Sequence, residues 1–164
     1  MTKNKEWFWT ADNTGGVGAI VSYEEGKDII VLPGREENSL IIWKNGEKKE
    51  HVFDKYDAGI STIAINNAGS LIAKSSSCGK YIRMIKVEDC EEIKRYTRGS
   101  SVAQITSLFF DNSSKYLTAS SNLETIHVFT VPIVQWDKDL AESSMGESDS
   151  LVSGSIRSSK AEEV

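Results

Sequence analysis

The chain has 164 residues and a formal net charge of −5 at pH 7; apolar residues make up 39% and charged residues 26%. This composition is ordinary for a globular domain, and the small negative charge argues against broad electrostatic binding to nucleic acid or anionic lipid. No stretch approaches the ~20 apolar residues of a membrane-spanning helix, and the two cysteines and two histidines stand at no zinc-ligand spacing.

Short alternating segments separated by turn residues predict an all-β fold. Apolar and polar residues alternate with the period of two that is typical of strands, and helical periodicity is weak throughout. Two predicted turns, at residues 67–69 and 112–114, are rich in residues that tolerate turn geometry. In chain order the predicted strands lie near residues 18–22, 29–32, 39–43, 60–66, 71–76, 80–86, 91–97, 105–110, 115–120 and 125–130.

An internal repeat organises these strands. Residues 60–76 align with residues 105–121 at an offset of 45, and residues 81–85 then align with 125–129 after the loss of one residue. A fainter first copy ends at Trp43, which lies 42 residues before Ile85, and Ile85 lies 44 residues before Phe129. Propeller blades of four strands repeat at ~40–45 residues. The sequence therefore predicts a partial WD-repeat-type β-propeller of about three four-stranded blades over residues 1–133.

The chain changes character after residue 133. Residues 134–164 hold eight serines and seven acidic against three basic side chains, a net charge of −4. Such a segment buries too little apolar surface to offset its ordering entropy, so we expect a disordered acidic tail or loop. Three blades cannot close a ring, so we expect the open blade faces to need cover from a partner, a second copy or further sequence.

Several segments, in order and at matching spacing, resemble the PROPPIN family of autophagy, which are phosphoinositide-binding, WD-repeat-like, seven-bladed propellers. The first copy, with DNTGGVGAIVS at 12–22 and IIVLPG at 29–34, is similar to that family's blade opening. RYTRG at 95–99 stands where the family carries its FRRG signature, and residues 103–129 are similar to the blade that follows it. The resemblance runs from about residue 13 to residue 131. It implies two neighbouring head-group pockets on the propeller rim.

The second of these pockets is largely matched. The resemblance places Arg98 as its arginine and His127 as its histidine, and a planar guanidinium can meet a phosphate bidentately. The hydroxyl positions that the resemblance assigns to this pocket are Ser107, Ser120, Ser121 and Thr125. Leu123 departs from the family's lysine, which removes one cation. We expect Arg98 to serve binding, so that Arg98→Ala leaves the melting temperature nearly unchanged.

The first pocket is matched poorly. Ser76 and Arg83 agree with the family, but Thr97 replaces the first arginine of the signature. Tyr56 stands where the family usually has histidine, and Lys74 and Lys80 replace threonines. The two lysines restore positive charge without the same geometry.

Two functions remain open from the sequence. The first is a non-enzymatic, peripheral membrane module that binds phosphatidylinositol 3-phosphate or 3,5-bisphosphate, with a role in autophagy or endosomal traffic. The second is a divergent propeller that has lost lipid binding and docks partner proteins of autophagy. Each of these residues also has a structural alternative. Arg98-Gly99 can be a strand end followed by a turn, and His127 can be a structural histidine. Ser76 and Ser121 can serve only to hydrogen-bond neighbouring blades together. No nucleophile elbow, metal-binding helix motif or phosphate loop is present, so we expect no enzyme and no cofactor.

Overall fold

Every regular element in the computed structural model, which describes residues 7–53 and 59–132, is a β-strand. Within these residues no helix is long and apolar enough to cross a membrane. The strands form three antiparallel sheets, which we call blades 1, 2 and 3. The predicted partial propeller is confirmed. The predicted tail, 134–164, and Tyr56 lie outside the described residues.

Each blade is a meander in which consecutive strands pair. Blade 1 contains β1 (Ala19–Glu24), β2 (Lys27–Pro33), β3 (Ser39–Lys44) and β4 (Glu47–Val52). Blade 2 contains β5 (Ile60–Ile65), β6 (Leu71–Ser76), β7 (Tyr81–Lys86) and β8 (Glu92–Thr97). Blade 3 contains β9 (Ile105–Phe110), β10 (Tyr116–Ser121) and β11 (Ile126–Thr130). All ten predicted strands are present; β4 was not predicted, and the third sheet has three strands in the described range.

The turns of blades 2 and 3 repeat in atomic detail at the offset of 45. In blade 2, Asn66 Oδ1 accepts from the backbone N–H of Leu71 (2.9 Å), and the Asn66 N–H donates to the Leu71 carbonyl (3.0 Å). In blade 3, Asp111 Oδ1 accepts from the backbone N–H of Tyr116 (2.7 Å), and the Asp111 N–H donates to the Tyr116 carbonyl (3.0 Å). A short polar side chain thus closes both hairpins in the same way.

A bulge near the start of the first strand also repeats. Ser61 in β5 and Thr106 in β9 each fall at a register shift and have no direct partner on the neighbouring strand. Their hydroxyls meet equivalent serines, at 2.8 Å between Ser61 and Ser75 and at 3.0 Å between Thr106 and Ser120. The repeat therefore extends to the side-chain bonds that pin each bulge.

The blades pack face to face around apolar cores. One core lies between blades 1 and 2 and is built from buried residues of both sheets, including Ile29, Val31, Leu40, Ile42, Ile63, Ile72 and Ile85. Blade 2 is joined to blade 3 by the Thr62 hydroxyl, which donates to the Ile105 carbonyl (2.9 Å), and by the Tyr96 hydroxyl, which donates to the Thr130 carbonyl (2.6 Å). The rings of Tyr96 and Phe129 lie 4.7 Å apart in the same contact.

Candidate functional site

Three of the predicted donors gather on the face of blade 3 that is turned toward blade 2. His127 pairs with the buried Ala119, and Ser121 pairs with the buried Ile105, so both lie on the inner face of the sheet. Thr125 stands two residues before His127, and its hydroxyl lies 3.3 Å from His127 Nε2. Because the ring is only half-buried, it can exchange this neighbour for a bound anion.

The other two predicted hydroxyls lie on the opposite face. Ser107 and Ser120 are direct partners across β9 and β10, in the register next to Leu108 and Ala119, which are buried on the inner face. Since successive side chains point to opposite faces of a strand, the sheet itself separates this pair from His127. The structure therefore brings Ser121, Thr125 and His127 together and leaves Ser107 and Ser120 outside their groove.

Arg98 is buried where blade 2 runs into the loop before blade 3. Its Nε donates to the Gly79 carbonyl (2.7 Å), and its Nη2 donates to the Ser101 carbonyl. Neither bond uses Nη1. The side chain therefore helps to hold the fold, and this geometry overturns the expectation that Arg98→Ala leaves the melting temperature unchanged, because removal would leave two backbone carbonyls without a donor.

The loop after Arg98 runs beside the groove on blade 3. Gln104 N–H donates to Asn122 Oδ1 (2.9 Å), and Asn122 N–H donates to the Gln104 carbonyl (3.0 Å). On its other side the loop meets the turn at Gly79, where Ala103 N–H donates to the Cys78 carbonyl (3.1 Å). These bonds fix the loop between the turn of blade 2 and the turn of blade 3 that carries Ser121 and Thr125.

Lys74, a predicted cation of the first pocket, is fully buried between blades 1 and 2. Its Nζ donates to Asn38 Oδ1 and lies 4.4 Å from the centroid of the Phe53 ring. A buried ammonium is tolerated where hydrogen bonds and an aromatic face replace water. Lys74 is thus committed to the interior, and the expectation that it restores positive charge to an open pocket is wrong.

The matched arginine of the first pocket is also engaged. Arg83 Nη1 donates to Glu92 Oε2 (2.7 Å), and Glu92 Oε1 accepts from Arg95 Nε (3.0 Å). Ser76 is buried, with its hydroxyl 3.2 Å from Cys78 Sγ, while Lys80 is half-buried. The first pocket therefore holds one arginine that already faces a carboxylate.

Acidic residues line a cleft that is also lined by Asn38, the partner of Lys74. A cleft of about 280 Å³ lies between blade 1 and the start of blade 2, and its lining includes Asp12, Glu36, Glu37, Asn38 and Ser77. Carboxylates disfavour a phosphate at this place by like-charge repulsion. Among the described residues no group of histidine, cysteine and carboxylate side chains is placed to hold a metal ion that could offset them.

A family model described as PROPPIN matches residues 5–153. The chain belongs to the PROPPIN family. It is 32% identical over 123 residues to autophagy-related protein 18 of Caenorhabditis elegans, covering 73% of this chain and 30% of that protein. It is 30% identical over 120 residues to WD repeat domain phosphoinositide-interacting protein 1 of Homo sapiens, covering 71% of this chain and 27% of that protein.

A solved structure supports the fold. Kluyveromyces lactis Hsv2 with a complete loop 6CD matches with a TM-score of 0.64 at 17% identity, covering 82% of this chain and 43% of that chain. At this identity the likeness concerns the fold. The chain spans about 19% to 30% of the length of the first curated relatives that it matches.

Three residues of this PROPPIN chain that shape the site were missed from the sequence. Glu92 neutralises Arg83, Asn38 holds Lys74, and Thr106 holds Ser120. Of these three pairs, only Thr106 with Ser120 had a signal in the sequence, because the internal repeat at an offset of 45 places Thr106 on Ser61 and Ser120 on Ser75. The pairs made by Glu92 and Asn38 depend on which faces meet, and no local pattern reports that.

Proposed function

We propose that this chain is a non-enzymatic module that binds the head group of phosphatidylinositol 3-phosphate or 3,5-bisphosphate and attaches peripherally to endosomal or autophagic membranes from the cytoplasm. Family membership supports the class of function. The observation that carries the proposal is the grouping of Ser121, Thr125 and His127 on one face of blade 3, beside the loop that follows Arg98.

The chemistry of this groove suits a phosphate monoester. Hydroxyl and imidazole N–H groups donate hydrogen bonds to phosphate oxygens, and bonds that involve a charged partner are the stronger ones. Arg98 is held in one orientation by the carbonyls of Gly79 and Ser101, so its guanidinium loses little freedom on binding. Its Nη1 is the atom that we assign to the head group.

A single groove of this kind gives low avidity. The first pocket has Arg83 paired with Glu92, Lys74 in the interior, and an acidic cleft beside it. Two linked sites raise avidity far above either affinity, and this chain offers one. We therefore place lipid binding at the second pocket alone.

Vesicle co-sedimentation of the full chain tests the proposal, with vesicles that contain phosphatidylinositol 3-phosphate against vesicles with unphosphorylated phosphatidylinositol. We expect binding only to the first kind. Thr125→Val keeps the shape of an exposed side chain and His127→Gln removes the imidazole, and each should weaken binding roughly tenfold, the loss of one charge-assisted hydrogen bond. His51→Gln, at the chain's other histidine on β4, is the matched control.

Either of two results contradicts the assignment. If Thr125→Val and His127→Gln bind like the parent, the groove on blade 3 is not the site. If the parent ignores the 3-phosphorylated lipid, lipid binding by this chain is wrong altogether. Arg98→Ala is a poor test by itself, because its burial ties a loss of binding to a loss of stability.

A second candidate function is a scaffold for partner proteins of autophagy. The observation that favours it is the first pocket, where Lys74 and Arg83 are engaged by Asn38 and Glu92 and carboxylates line the adjacent cleft. This function predicts a folded chain that sediments equally with both kinds of vesicle. The vesicle assay therefore separates the two candidates.

A further inference from the structure

Two arginines of blade 2 stand directly opposite each other on neighbouring strands. Arg83 on β7 pairs with Arg95 on β8, so their side chains share one face of the sheet. Like charges that face each other in this way are destabilising unless an anion lies between them. The Arg83 side chain is 6% exposed and the Arg95 side chain 48%, so the pair extends from the interior to the surface. The pairing therefore creates a position that favours an anion.

A β-bulge in β8 brings a carboxylate to this position. The register between β7 and β8 skips Ile93, which has no direct partner. Because of this extra residue, Glu92 lies on the same face of the sheet as Arg95, whereas strict alternation along the strand would place it on the opposite face. Bulges are over-represented next to functional sites, where they re-aim a side chain. The local backbone is thus shaped to direct Glu92 at the two arginines.

The Glu92 carboxylate bridges both guanidinium groups. Its Oε2 accepts from Arg83 Nη1 (2.7 Å), and its Oε1 accepts from Arg95 Nε (3.0 Å). A further bond runs from Arg95 Nη2 to Glu92 Oε2 (3.3 Å). Guanidinium groups meet the oxygens of carboxylates and of phosphates with the same planar geometry. Glu92 therefore occupies, with its two oxygens, a clamp whose chemistry also suits a phosphate monoester.

Arg95 adds a second arginine to the first pocket, where Thr97 replaces the first arginine of the signature. Arg95 and Thr97 lie on the same face of β8, two positions or about 7 Å apart along the strand. Because Arg95 is half-exposed, an anion can reach it from solvent while the sheet stays intact. The pocket thus has two cationic arms, and the carboxylate of Glu92 lies between them.

We propose that Arg83 and Arg95 form a phosphate clamp that the Glu92 carboxylate keeps closed, and that a phosphate monoester binds there once the charge of Glu92 is removed. This inference goes beyond the proposed function, which assigns the head group to the groove on blade 3. A phosphate monoester carries a charge of about −1.5 to −2 at pH 7, so it can replace the single charge of a carboxylate between two arginines. Glu92 is thereby the residue that limits this chain to one anion site.

Calorimetry of the full chain with inorganic phosphate tests the clamp. All variants carry Thr125→Val and His127→Gln, so that binding at the groove on blade 3 is suppressed. Glu92→Gln should raise the affinity for phosphate about tenfold or more over this background, since it opens the clamp to charge-assisted hydrogen bonds. Glu91→Gln is the matched control, because it removes the same charge one residue away, from an exposed pair with Lys86 (2.5 Å), and it should give no gain.

Arg95→Gln shows whether the gain comes from the clamp. Combined with Glu92→Gln it should abolish the gain, because the clamp loses its exposed arm while the buried Arg83 stays in place. A Glu92→Gln chain that binds phosphate no better than Glu91→Gln would overturn the proposal. A gain that survives Arg95→Gln would overturn it as well.

The unfolding midpoint gives a second measurement, because Glu92→Gln leaves two arginines face to face and can weaken the fold. Phosphate should raise the midpoint of Glu92→Gln more than sodium chloride of equal ionic strength does, since phosphate returns an anion to the clamp and binds only the folded state. Equal effects of the two salts would contradict the clamp.

Vesicles that contain phosphatidylinositol 3-phosphate identify the source of the phosphate. A parallel gain in vesicle binding by Glu92→Gln assigns the opened clamp to a lipid head group, and a gain with inorganic phosphate alone assigns it to soluble phosphate. The calorimetric result needs no vesicle. A parent chain that ignores these vesicles therefore contradicts the proposed function, whereas a Glu92→Gln chain without a gain for phosphate contradicts the clamp.

Discussion

At the scale of single residues, cationic side chains that a sequence comparison assigns to ligand binding are used to build the interior. Lys74, Arg83 and Arg98 are all buried, and each has a polar partner within the protein. A buried charge is expensive unless it is paired. Arg83 faces the carboxylate of Glu92, whereas Lys74 and Arg98 donate to neutral carbonyls, and of these two Lys74 lies in the interior between blades 1 and 2.

We expect Lys74→Ala to destabilise the protein by about 2–4 kcal/mol, because it empties a fully buried site between blades 1 and 2. Lys74→Met keeps most of the volume of the stem and should cost less, because it avoids most of the cavity that alanine leaves. Urea unfolding measures both changes, and neither variant should alter vesicle binding. If Lys74→Met reduced vesicle binding without changing the unfolding midpoint, Lys74 would belong to the binding site after all.

The carboxylate of Asp111 makes the stability of the fold depend on pH in the acid range. Hydrogen bonds from the Ser113 hydroxyl and from the backbone N–H of Tyr116 lower the pKa of Asp111 below its ordinary value of 3.8. A lowered pKa stabilises the folded state above the ordinary value, and this contribution is lost as the pH falls through the lowered pKa. Asp111→Asn keeps the acceptor that Asn66 uses in blade 2, so its deficit in unfolding midpoint should be small at pH 7, should begin to shrink near pH 3.8, and should vanish once the pH has fallen through the lowered pKa. A deficit that is constant with pH would show that the charge of Asp111 is unimportant.

At the scale of elements, alternation and the repeat predict strands where apolar residues face a neighbouring blade. They fail for β4, whose residues are almost all exposed and charged, so no alternation appears in EKKEHV. A different signal was present in Asn45-Gly46, which joins β3 to β4 with positive φ at both residues (52° and 87°). A two-residue turn of this type requires that geometry, and Asn-Gly is its usual sequence.

The candidate site was predicted in part for the same reason. The resemblance assigns Ser121, Thr125 and His127 to one pocket; the strand pairing puts Ser121 and His127 on one face of blade 3, and the Thr125 hydroxyl lies beside His127. Spacing cannot assign Ser107 and Ser120 to a face, because the bulge at Thr106 changes the alternation along β9. Nor does it report that Arg98 folds back onto Gly79, since that contact joins two turns that are 19 residues apart.

The contact between these turns gives a prediction for Gly79. A Cβ at Gly79 would lie 1.8 Å from the Ala103 carbonyl oxygen, whereas a Cβ at Gly16 would meet nothing within 4 Å. Both glycines have nearly the same φ, +62° and +63°, so alanine suffers the same backbone strain of about 1–2 kcal/mol at either position. Gly79→Ala should therefore lower the unfolding midpoint well beyond Gly16→Ala. Equal effects would mean that the loop at 101–103 shifts freely, and Arg98 would then not be held as described.

At the scale of the whole molecule, the charge is divided unevenly between nearly neutral residues 1–133 and acidic residues 134–164. Residues 1–133 hold seventeen acidic and sixteen basic side chains, and residues 134–164 carry the net charge of −4. On the proposed function, attachment to an anionic membrane therefore gains little from long-range attraction and depends on the local groove on blade 3.

We expect removal of residues 137–164 to raise the affinity for vesicles that contain the 3-phosphorylated lipid. These residues hold all seven acidic side chains of the end segment, and their repulsion from an anionic surface opposes attachment at low ionic strength. The gain should fade at about 0.15 M salt, where screening acts over roughly 8 Å. A full-length chain with Asn and Gln in place of these acids is the control for length, and it should match the truncated chain. Weaker binding after truncation would show that the modestly apolar stretch from Ser150 to Ile156 inserts into the bilayer despite its acidic neighbours.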